Sequence, residues 1–494
     1  MWPRVLAAAL AVAFLLAPPL GTDLAAQVAR ADFFSAHGFT PVDLRWYGGT
    51  NQFGYSFTAP AVMSVLGVRV TGALAAVLST VVFAALLSRT GAVRPTLGAI
   101  LGAVCFTGNL ASGRITYALG VACGLAGLLA LTADRRWVRF AGGAAGALVA
   151  ALTSPVAGLF AGLAGVALAL GARDRRLEGA AFAVAAGLPL GLGALLFGEG
   201  GWMNIGITDT LRAAATGLVV AVAVPRRAVR IGAALAVLGV LAAFAVHTPV
   251  GLNATRLASM FGLPVLAAYA VVPAKWRLAA VAGLAAVALW QPPVLLADLK
   301  AAGDRTASPS YFAPLLDELA RRPAGRVEIP PTYNYWEAAH AARQVPLARG
   351  WLRQVDLARN PMFFYEPLTA DGYERWLRDN GVSYVAVADT RPSWVGRKEV
   401  ELIRAGLPFL TEVWRGPQWT LYEVAGRPSI VEGATLVSVD GARVTLDAPA
   451  AGEVLVRVRW SRWLTVNGGA VLSEAAESWT RLRVPAPGRY TVTS

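Results

Sequence analysis

The sequence predicts a polytopic α-helical membrane domain of about eleven transmembrane helices, followed by an extracytoplasmic α/β domain and a β-sandwich domain. Of the 494 residues, 56% are hydrophobic and 15% are charged. A soluble domain has about 45–50% apolar and about 25% charged residues, so an ordinary cytosolic enzyme is disfavoured. The apolar runs end near residue 297, and period-two runs dominate the last 60 residues or so. We therefore predict domains at 1–297, 298–430 and 431–494.

Eleven apolar stretches approach the length of a membrane span. A hydrocarbon core about 30 Å thick needs about 20 apolar residues per helix. The first stretch also fits a signal peptide, but no clear cleavage site follows, which favours a retained helix. The predicted spans are 5–21, 70–88, 95–112, 115–133, 138–153, 155–172, 178–197, 210–225, 229–247, 257–274 and 278–296.

Basic residues in the connecting loops predict the orientation, because cytoplasmic loops carry an excess of Lys and Arg. One set of alternate loops holds fourteen basic residues and the other set holds six. This asymmetry places the N-terminus in the cytoplasm and the C-terminal domains outside. The fourteen are Arg4, Arg89, Arg94, Arg135, Arg136, Arg139, Arg173, Arg175, Arg176, Arg226, Arg227, Arg230, Lys275 and Arg277.

The net charge of +14 does not indicate nucleic acid binding. The arginines of the inner loops stand in short clusters between spans, where they set topology and contact anionic lipid. The two cysteines, Cys105 and Cys123, both lie in apolar runs and imply no disulfide framework. The sequence has no motif with metal-ligand spacing, so a divalent metal, although possible, is unsupported.

The longest loop between spans, residues 22–69, lies on the predicted outer face. Asp23 follows the first span directly, and a short amphipathic helix is predicted at residues 23–36. Arg45, Trp46 and Tyr47 then form an aromatic turn. One interpretation is a substrate-binding loop, and the other is a loop lying along the interface with its aromatic rings in the headgroup belt.

The other outer loops carry few polar groups, and ionisable groups near membrane depth tend to be functional. Arg114 and Arg256 stand at the outer ends of helices, against the positive-inside bias. A guanidinium fork there suits a phosphate, because it binds two oxygens at once. The alternative is snorkelling to outer-leaflet lipid. The complete set is Asn109, Arg114, Glu199, Asp209, Arg212, His247, Asn253 and Arg256.

In the C-terminal region, the pattern of apolar residues predicts a helix over most of 311–325 and a strand at 326–329. It also predicts a helix that stops at Gly381 before a buried strand. A β-sandwich of about six strands follows over 433–494. A polar-aromatic cluster between these parts is typical either of a sugar-binding site or of a surface that docks on the membrane domain. Its residues are Trp336, Glu337, His340, Arg349, Trp351, Arg353, Gln354 and Asp356.

Several stretches resemble one family. Asp23-Leu-Ala-Ala-Gln is followed by Arg45-Trp46-Tyr47-Gly48-Gly49 and Gly54-Tyr55-Ser56. These stretches are similar to bacterial polytopic membrane proteins of the GT-C glycosyltransferase-like superfamily. Further stretches fit the same pattern, namely SGRITYALG, TSPVAGLF, LFGEGG, NATRLASMFGLP, PLARGWLRQVD and NPMFFY. Some members of that superfamily are labelled transporters.

The resemblance implies an enzyme of the bacterial plasma (inner) membrane that moves a sugar from a polyprenyl-phosphate donor to a cell-envelope glycan or lipid. It also implies an essential acidic residue just after the first helix, which Asp23 matches, with Asp43 and Asp32 as weaker candidates. The chain lacks the Asp-Glu pair found there in protein mannosyltransferases and aminoarabinose transferases, and it lacks a clear D-x-D motif.

The outer-face residues are compatible with this chemistry. An inverting transfer needs a carboxylate as general base and cations for the charge on the leaving phosphate. We assign the base to Asp23 and phosphate binding to Arg114 and Arg256. Glu199 and Asn253 are candidates to orient sugar or acceptor. The remaining candidate substrate-binding residues are Arg45, Trp46, Tyr47 and His247.

Two other classes of function stay open. A lipid or polysaccharide transporter, or flippase, would show a repeat between halves and broken helices at mid-membrane. A non-catalytic cell-envelope assembly protein would use its outer domains to bind partners. The sequence shows no clear repeat, and its mid-membrane positions are nearly free of charge, which favours the glycosyltransferase.

Overall fold

The computed structural model describes residues 1–294 and 296–494. They divide into two units. We call residues 1–27 and 54–302 the helical unit, and residues 28–53 and 303–494 the mixed unit. Most of the loop predicted to belong to the membrane domain, residues 28–53, is thus part of the mixed unit. The predicted boundaries at 297 and 430 stay predictions.

The helical unit is built from apolar helices rich in Ala, Gly and Leu. Proline stands in the first turn of several of them, where its missing N–H costs nothing. The helices are α1 (Trp2–Leu16), α2 (Leu24–His37, which continues into the mixed unit), α3 (Ala59–Leu66), α4 (Val68–Arg89), α5 (Pro95–Ala111), α6 (Ile115–Ala130), α7 (Arg136–Thr153), α8 (Pro155–Gly171), α9 (Arg176–Phe197), α10 (Ile207–Ala223), α11 (Arg227–Ala245), α12 (Leu263–Tyr269), α13 (Arg277–Trp290) and α14 (Leu296–Lys300).

Small residues let neighbouring helices approach closely, as is usual in membrane bundles. Gly146 of α7 faces Gly127 of α6, and a Cβ at Gly146 would lie 2.4 Å from the Gly127 Cα. Gly165 of α8 faces Ala183 of α9 in the same way, at 2.7 Å from its backbone nitrogen. Glycine at these positions therefore serves packing, because a larger residue would push the helices apart.

In the described part of the chain, three helical segments are long and apolar enough to cross a membrane. They are Val68–Arg89, Arg173–Phe197 and Arg227–Ala245. The predicted count of about eleven transmembrane helices is not supported, because most of the predicted stretches form shorter helices. The span predicted at 257–274, for instance, contains a π-helical turn (Ala258–Gly262) and then the seven-residue α12.

The outer surface of the helical unit is apolar. In the most hydrophobic window of Arg173–Phe197, only 17% of the residues are buried within the protein. Large side chains such as Leu195, Val222, Leu278 and Leu289 are each more than three-quarters exposed. Such a surface fits a lipid environment, because large contiguous apolar patches are rare on soluble monomers.

The first part of the mixed unit holds a four-stranded sheet in the order β3-β4-β6-β5. The predicted helix, stop at Gly381 and buried strand are present here as α18 and β4. β3 and β4 pair in parallel, and the other pairs are antiparallel. The elements are β1 (Val42–Asp43), β2 (Thr50–Asn51), α15 (Ala313–Leu319), β3 (Arg326–Glu328), α16 (Glu337–His340), α17 (Arg353–Arg359), α18 (Ala370–Asp379), β4 (Val382–Ala388), α19 (Arg397–Arg404), β5 (Leu410–Arg415) and β6 (Trp419–Val424).

The end of the mixed unit is a sandwich of two four-stranded sheets, in the orders β12-β13-β10-β7 and β11-β14-β9-β8. Alternate residues face one shared core, as Val454, Val456 and Val458 do from β10 and Val444 and Leu446 do from β9. The strands are β7 (Val431–Glu432), β8 (Thr435–Val439), β9 (Arg443–Ala448), β10 (Gly452–Arg459), β11 (Thr465–Val466), β12 (Val471–Glu474), β13 (Trp479–Val484) and β14 (Gly488–Thr493). The two-residue strands β7 and β11 raise the number above the six expected, since such short runs carry no period-two signal.

The polar-aromatic cluster predicted as a sugar-binding or docking surface is largely buried inside the mixed unit. Arg349 forms ion pairs with Glu328 at 2.8 Å and with Glu399, and its Nη1 lies 3.9 Å from Asp356. All four side chains are at most 5% exposed. The spacing of polar residues in the sequence does not reveal this buried set of ion pairs, because Glu328 and Glu399 lie far from Arg349 along the chain.

Glu337 makes the stability of the mixed unit depend on pH. Its buried carboxyl accepts hydrogen bonds from the Thr332 hydroxyl and N–H. Burial raises the pKa of Glu337 from its usual 4.5 to about 8. The folded state therefore holds a proton that the unfolded state releases, and the free energy of unfolding falls as the pH rises through this window. Glu337→Gln is expected to reduce that fall, measured as urea midpoints between pH 5 and 8.5.

The exposed Glu401→Gln is the matched control, since it removes a carboxylate from the surface of the same unit. It should keep the pH dependence of the wild type. An identical pH dependence in Glu337→Gln and the wild type would contradict the assignment.

Candidate active site

Three charged residues chosen from the sequence converge in the helical unit. The Asp23 Oδ2 lies 3.5 Å from the Arg114 Nε and 3.7 Å from the Arg256 Nη2. The side chains of Asp23, Arg114 and Arg256 are 17%, 25% and 17% exposed. The three groups are therefore close enough to act on one small ligand and remain partly accessible. We call them the charged triad.

Two members of the charged triad stand where a helix begins, and the third follows a helical turn. Asp23 precedes α2, Arg114 precedes α6, and Arg256 follows a 3-10 turn (Gly251–Thr255). The N–H groups at the start of a helix point outward and favour a nearby negative charge. Several of these N–H groups are already bonded within the protein, as that of Ile115 is to the Gly113 carbonyl and that of Thr116 is to Gln27.

Two glycines bring the Asp23 and Arg114 segments together. Gly21 and Gly113 adopt positive φ angles of 84° and 78°. A Cβ at Gly113 would lie 2.3 Å from the Leu24 nitrogen, and one at Gly21 would lie 2.2 Å from the Ser112 carbonyl carbon. The Asp23 N–H then donates to the Ser112 carbonyl at 3.3 Å. Only glycine allows this approach, so these positions set the distance between Asp23 and Arg114.

Sequence reasoning missed Tyr117, which borders the charged triad. The Arg256 guanidinium carbon lies 5.2 Å from the centre of its ring, within the range of a cation–π contact. Its hydroxyl is buried and has no hydrogen-bond partner in the described part of the chain. A signal for it was present, because Tyr117 follows Arg114 by three residues and so shares its helix face.

Gln27 is a second residue that sequence reasoning missed. Its Oε1 accepts hydrogen bonds from the Thr116 hydroxyl and N–H, and its Nε2 donates to the Tyr55 hydroxyl at 3.0 Å. Gln27 and Thr116 therefore join the segment after Asp23 to the segment after Arg114. Gln27 ends the Asp23-Leu-Ala-Ala-Gln stretch that carries the family resemblance, but that resemblance assigns it no role.

The charged triad carries an excess of one positive charge, since two guanidinium groups face one carboxylate. The Arg114 Nε is buried and makes no hydrogen bond to any described residue. Both contacts to Asp23 are longer than a normal hydrogen bond, which leaves donors for a further ligand. The arrangement is suited to hold a singly charged anion beside a carboxylate.

Of the other predicted outer-face residues, Asn109 lies beside the charged triad, because its Nδ2 donates to the Arg114 carbonyl at 3.2 Å. His247 is exposed and stacks on Trp202, with ring centres 4.0 Å apart. Asn253 is buried in the 3-10 turn that precedes Arg256, and Glu199 is half-buried in the segment after α9. Of these, Asn253 stands nearest in sequence to a member of the triad.

Asp43, Arg45, Trp46 and Tyr47 lie in the mixed unit and are all buried there. The Asp43 carboxylate accepts from the Arg45 guanidinium and from the Gln52 amide, at 2.7 and 3.1 Å. The Trp46 indole donates to the Ala338 carbonyl, and the Tyr47 hydroxyl donates to that of Gly350.

These contacts correct the predicted roles of those four residues. The Asp43 carboxylate is fully buried and paired with Arg45, so an acceptor hydroxyl has no access to it, which argues against Asp43 as a base. The aromatic turn of Trp46 and Tyr47 packs into protein, so its side chains offer no surface to a sugar or to lipid headgroups. The turn anchors residues 28–53 to the mixed unit. Aromatic residues beside glycines suit a buried turn and an interfacial loop equally, so their sequence does not distinguish the two.

No cluster of three or more His, Cys, Asp or Glu side chains placed to hold a metal ion is found in residues 1–294 and 296–494.

No protein-family model matches the chain, and no curated protein matches it. Two solved structures of the arabinofuranosyltransferase AftD from Mycobacteria, one of them a mutant, are similar to it at 19% and 15% identity. They cover 91% and 100% of this chain, each with a TM-score of 0.49. The chain spans 41% and 60% of the lengths of those two chains.

Proposed function

We propose that the protein is a membrane glycosyltransferase that moves a sugar from a polyprenyl-phosphate donor to a cell-envelope acceptor. The observation that carries the proposal is the charged triad, in which one carboxylate contacts two guanidinium groups within an apolar helical unit. A lipid-linked phosphate carries the negative charge that the triad attracts. Its hydrocarbon chain lies in the membrane, next to the apolar surface of the helical unit. The acceptor is a glycan or lipid of the envelope.

Asp23 is the general base in this proposal. The oxygen of an acceptor hydroxyl attacks the anomeric carbon, and the bond from that carbon to the phosphate oxygen breaks. Asp23 takes the hydroxyl proton, and the lipid phosphate leaves with the bonding electron pair. A single displacement of this kind inverts the anomeric centre. A positioned base of this type contributes about 10²–10⁴-fold to a rate.

Arg114 and Arg256 bind the leaving phosphate and stabilise its developing charge. Guanidinium groups suit this role because they present fixed pairs of donors to two phosphate oxygens. The Tyr117 ring beside Arg256 holds that guanidinium in place. Asn253 and Glu199 are assigned to orienting the sugar or acceptor, on the basis of their positions in the chain near Arg256 and α9.

We place the helical unit in a bacterial plasma membrane, with the N-terminus in the cytoplasm and the mixed unit outside. The exposed apolar side chains of the helical unit support the membrane location. The count of basic residues in alternate loops supports the orientation. This orientation puts the charged triad on the extracytoplasmic side, where envelope acceptors are found.

The test of function is reconstitution of the full-length protein in vesicles with polyprenyl-phosphate sugars and envelope acceptors. The expected result is a new glycosidic bond, detected by mass spectrometry of the acceptor. Movement of the labelled donor between leaflets without bond formation would indicate a transporter instead. Full envelope glycan synthesis by a triad-deficient variant in cells would indicate a non-catalytic assembly role.

Arg256→Ala is expected to weaken binding of the lipid donor by about 10–100-fold, because hydrogen bonds to charged groups contribute about 1.5–3 kcal/mol. Arg256→Lys keeps the charge but loses the two-oxygen fork, so it should fall between the wild type and Arg256→Ala. The measurement is KM for the donor at saturating acceptor. Arg212→Ala, at an exposed arginine near the start of α10, is the control and should leave KM unchanged. An equal KM for Arg256→Ala and Arg212→Ala would contradict phosphate binding by Arg256.

A further inference from the structure

A second carboxyl group, Asp298, is attached to the charged triad through a serine. Asp298 lies in α14 and is 7% exposed. Its Oδ2 accepts a hydrogen bond from the Ser112 hydroxyl at 2.5 Å. The carbonyl of the same serine accepts the N–H of Asp23. Ser112 also precedes Gly113 and Arg114, so Asp298 holds the residue on which the geometry of Asp23 and Arg114 depends.

Asp298 has no ion-pair partner among the described residues. The charged groups that act on it from neighbouring elements are Arg114 and Asp23, and Lys300 on its own helix is exposed. A carboxylate buried without a cation is costly, because burial penalises the charged form. Burial raises the pKa of Asp298, and the Ser112 hydrogen bond opposes that rise.

We propose that Asp298 is a positioning residue whose proton sets the charge of the lipid-phosphate site. With Asp298 protonated, two arginines and Asp23 leave one excess positive charge, which binds a phosphate monoanion. With Asp298 ionised, the site is neutral overall and its attraction for the phosphate is weaker. This inference rests on the proposed function, since it concerns the phosphate site of that enzyme.

The consequence is a donor affinity that falls as the pH rises. The charge that appears on Asp298 lies in a partly buried site, where screening by water is weak. The affinity for a singly charged phosphate should drop by about tenfold once Asp298 is ionised, an effect of the size expected for one added charge at low effective dielectric. Asp298→Asn carries no charge at any pH and keeps an acceptor for the Ser112 hydroxyl.

The experiment measures binding of farnesyl methyl phosphate to the full-length protein in detergent between pH 5 and 9. This phosphodiester stays a monoanion throughout, so its own ionisation does not contribute. We expect the affinity of the wild type to fall by about tenfold with rising pH, and that of Asp298→Asn to stay flat. Asp209→Asn, at an exposed carboxylate of α10, is the control and should follow the wild type.

Ser112→Ala gives a second variant that keeps the titrating group. It removes the hydrogen bond that favours the ionised form, so the midpoint of the fall should move to higher pH. An Asp298→Asn curve with the slope of the wild type, or a Ser112→Ala midpoint that does not move upward, would overturn the inference. Absence of any binding to the wild type would instead overturn the phosphate site of the proposed function, so the two failures are distinguishable.

Discussion

Asp23→Asn is expected to lower the rate of sugar transfer by about 10²–10⁴-fold. The substitution removes the general base but keeps the size of the side chain and one acceptor oxygen. It also removes the negative charge that partly neutralises Arg114 and Arg256. The affinity for the lipid phosphate should therefore be unchanged or higher, while the turnover number falls. The measurement is a single-turnover rate together with a binding curve for the donor.

Asp209→Asn is the control for this experiment, because it makes the same chemical change at an exposed position of the helical unit. It should transfer sugar at the rate of the wild type. Two results would contradict the assignment of Asp23 as the general base. One is transfer by Asp23→Asn at the control rate, and the other is a loss of activity explained wholly by weaker donor binding.

Arg349→Ala is expected to lower the free energy of unfolding of the mixed unit by about 3–5 kcal/mol, the usual effect of removing one partner from a buried ion pair. Arg349 is the cation that contacts Glu328, Glu399 and Asp356, and its guanidinium also lies 3.8 Å from the Phe363 ring centre. Without it, three buried carboxyl groups lose the cation that contacts all of them. Urea unfolding of the full-length protein, followed by tryptophan fluorescence, measures the change.

A matched control is Arg415→Ala, which breaks an exposed ion pair with Glu412 in the same unit. Exposed pairs are screened by water and add little, so its unfolding curve should stay close to that of the wild type. Glu399→Gln combined with Arg349→Ala should recover part of the lost stability, since it removes one of the uncompensated charges. A loss in Arg349→Ala no larger than in Arg415→Ala would show that the cluster does not stabilise the unit.

The charged triad was predictable because its arginines contradict a strong statistical rule. Basic residues prefer cytoplasmic loops, and Arg114 and Arg256 stand on the opposite side of the predicted membrane. Asp23 was predictable from its place just after the first apolar stretch and from the family resemblance. Asp298 was not predictable, because an acidic residue in a juncture has common structural explanations. The only signal for Tyr117 was its spacing of three residues from Arg114.

The aromatic turn at Trp46 and Tyr47 illustrates the opposite error. The same residues suit a substrate loop, an interfacial loop or a buried turn, and the choice depends on what packs against them. The structure gives the partners, which are backbone carbonyls of residues 338 and 350, about 300 positions further along the chain. No local pattern contains information about contacts at that separation.

The sequence by itself determined the class of the molecule, namely an apolar helical unit and a sheet-rich unit, because hydropathy and periodicity are local properties. The sequence also identified Arg114 and Arg256 as basic residues that run against the positive-inside bias. Only the tertiary structure decided that Asp23, Arg114 and Arg256 meet within 4 Å, that residues 28–53 belong to the mixed unit, and that Asp298 touches Ser112. The physical reason is that close packing at Gly21 and Gly113 brings distant segments into contact, and such contacts depend on shape in three dimensions.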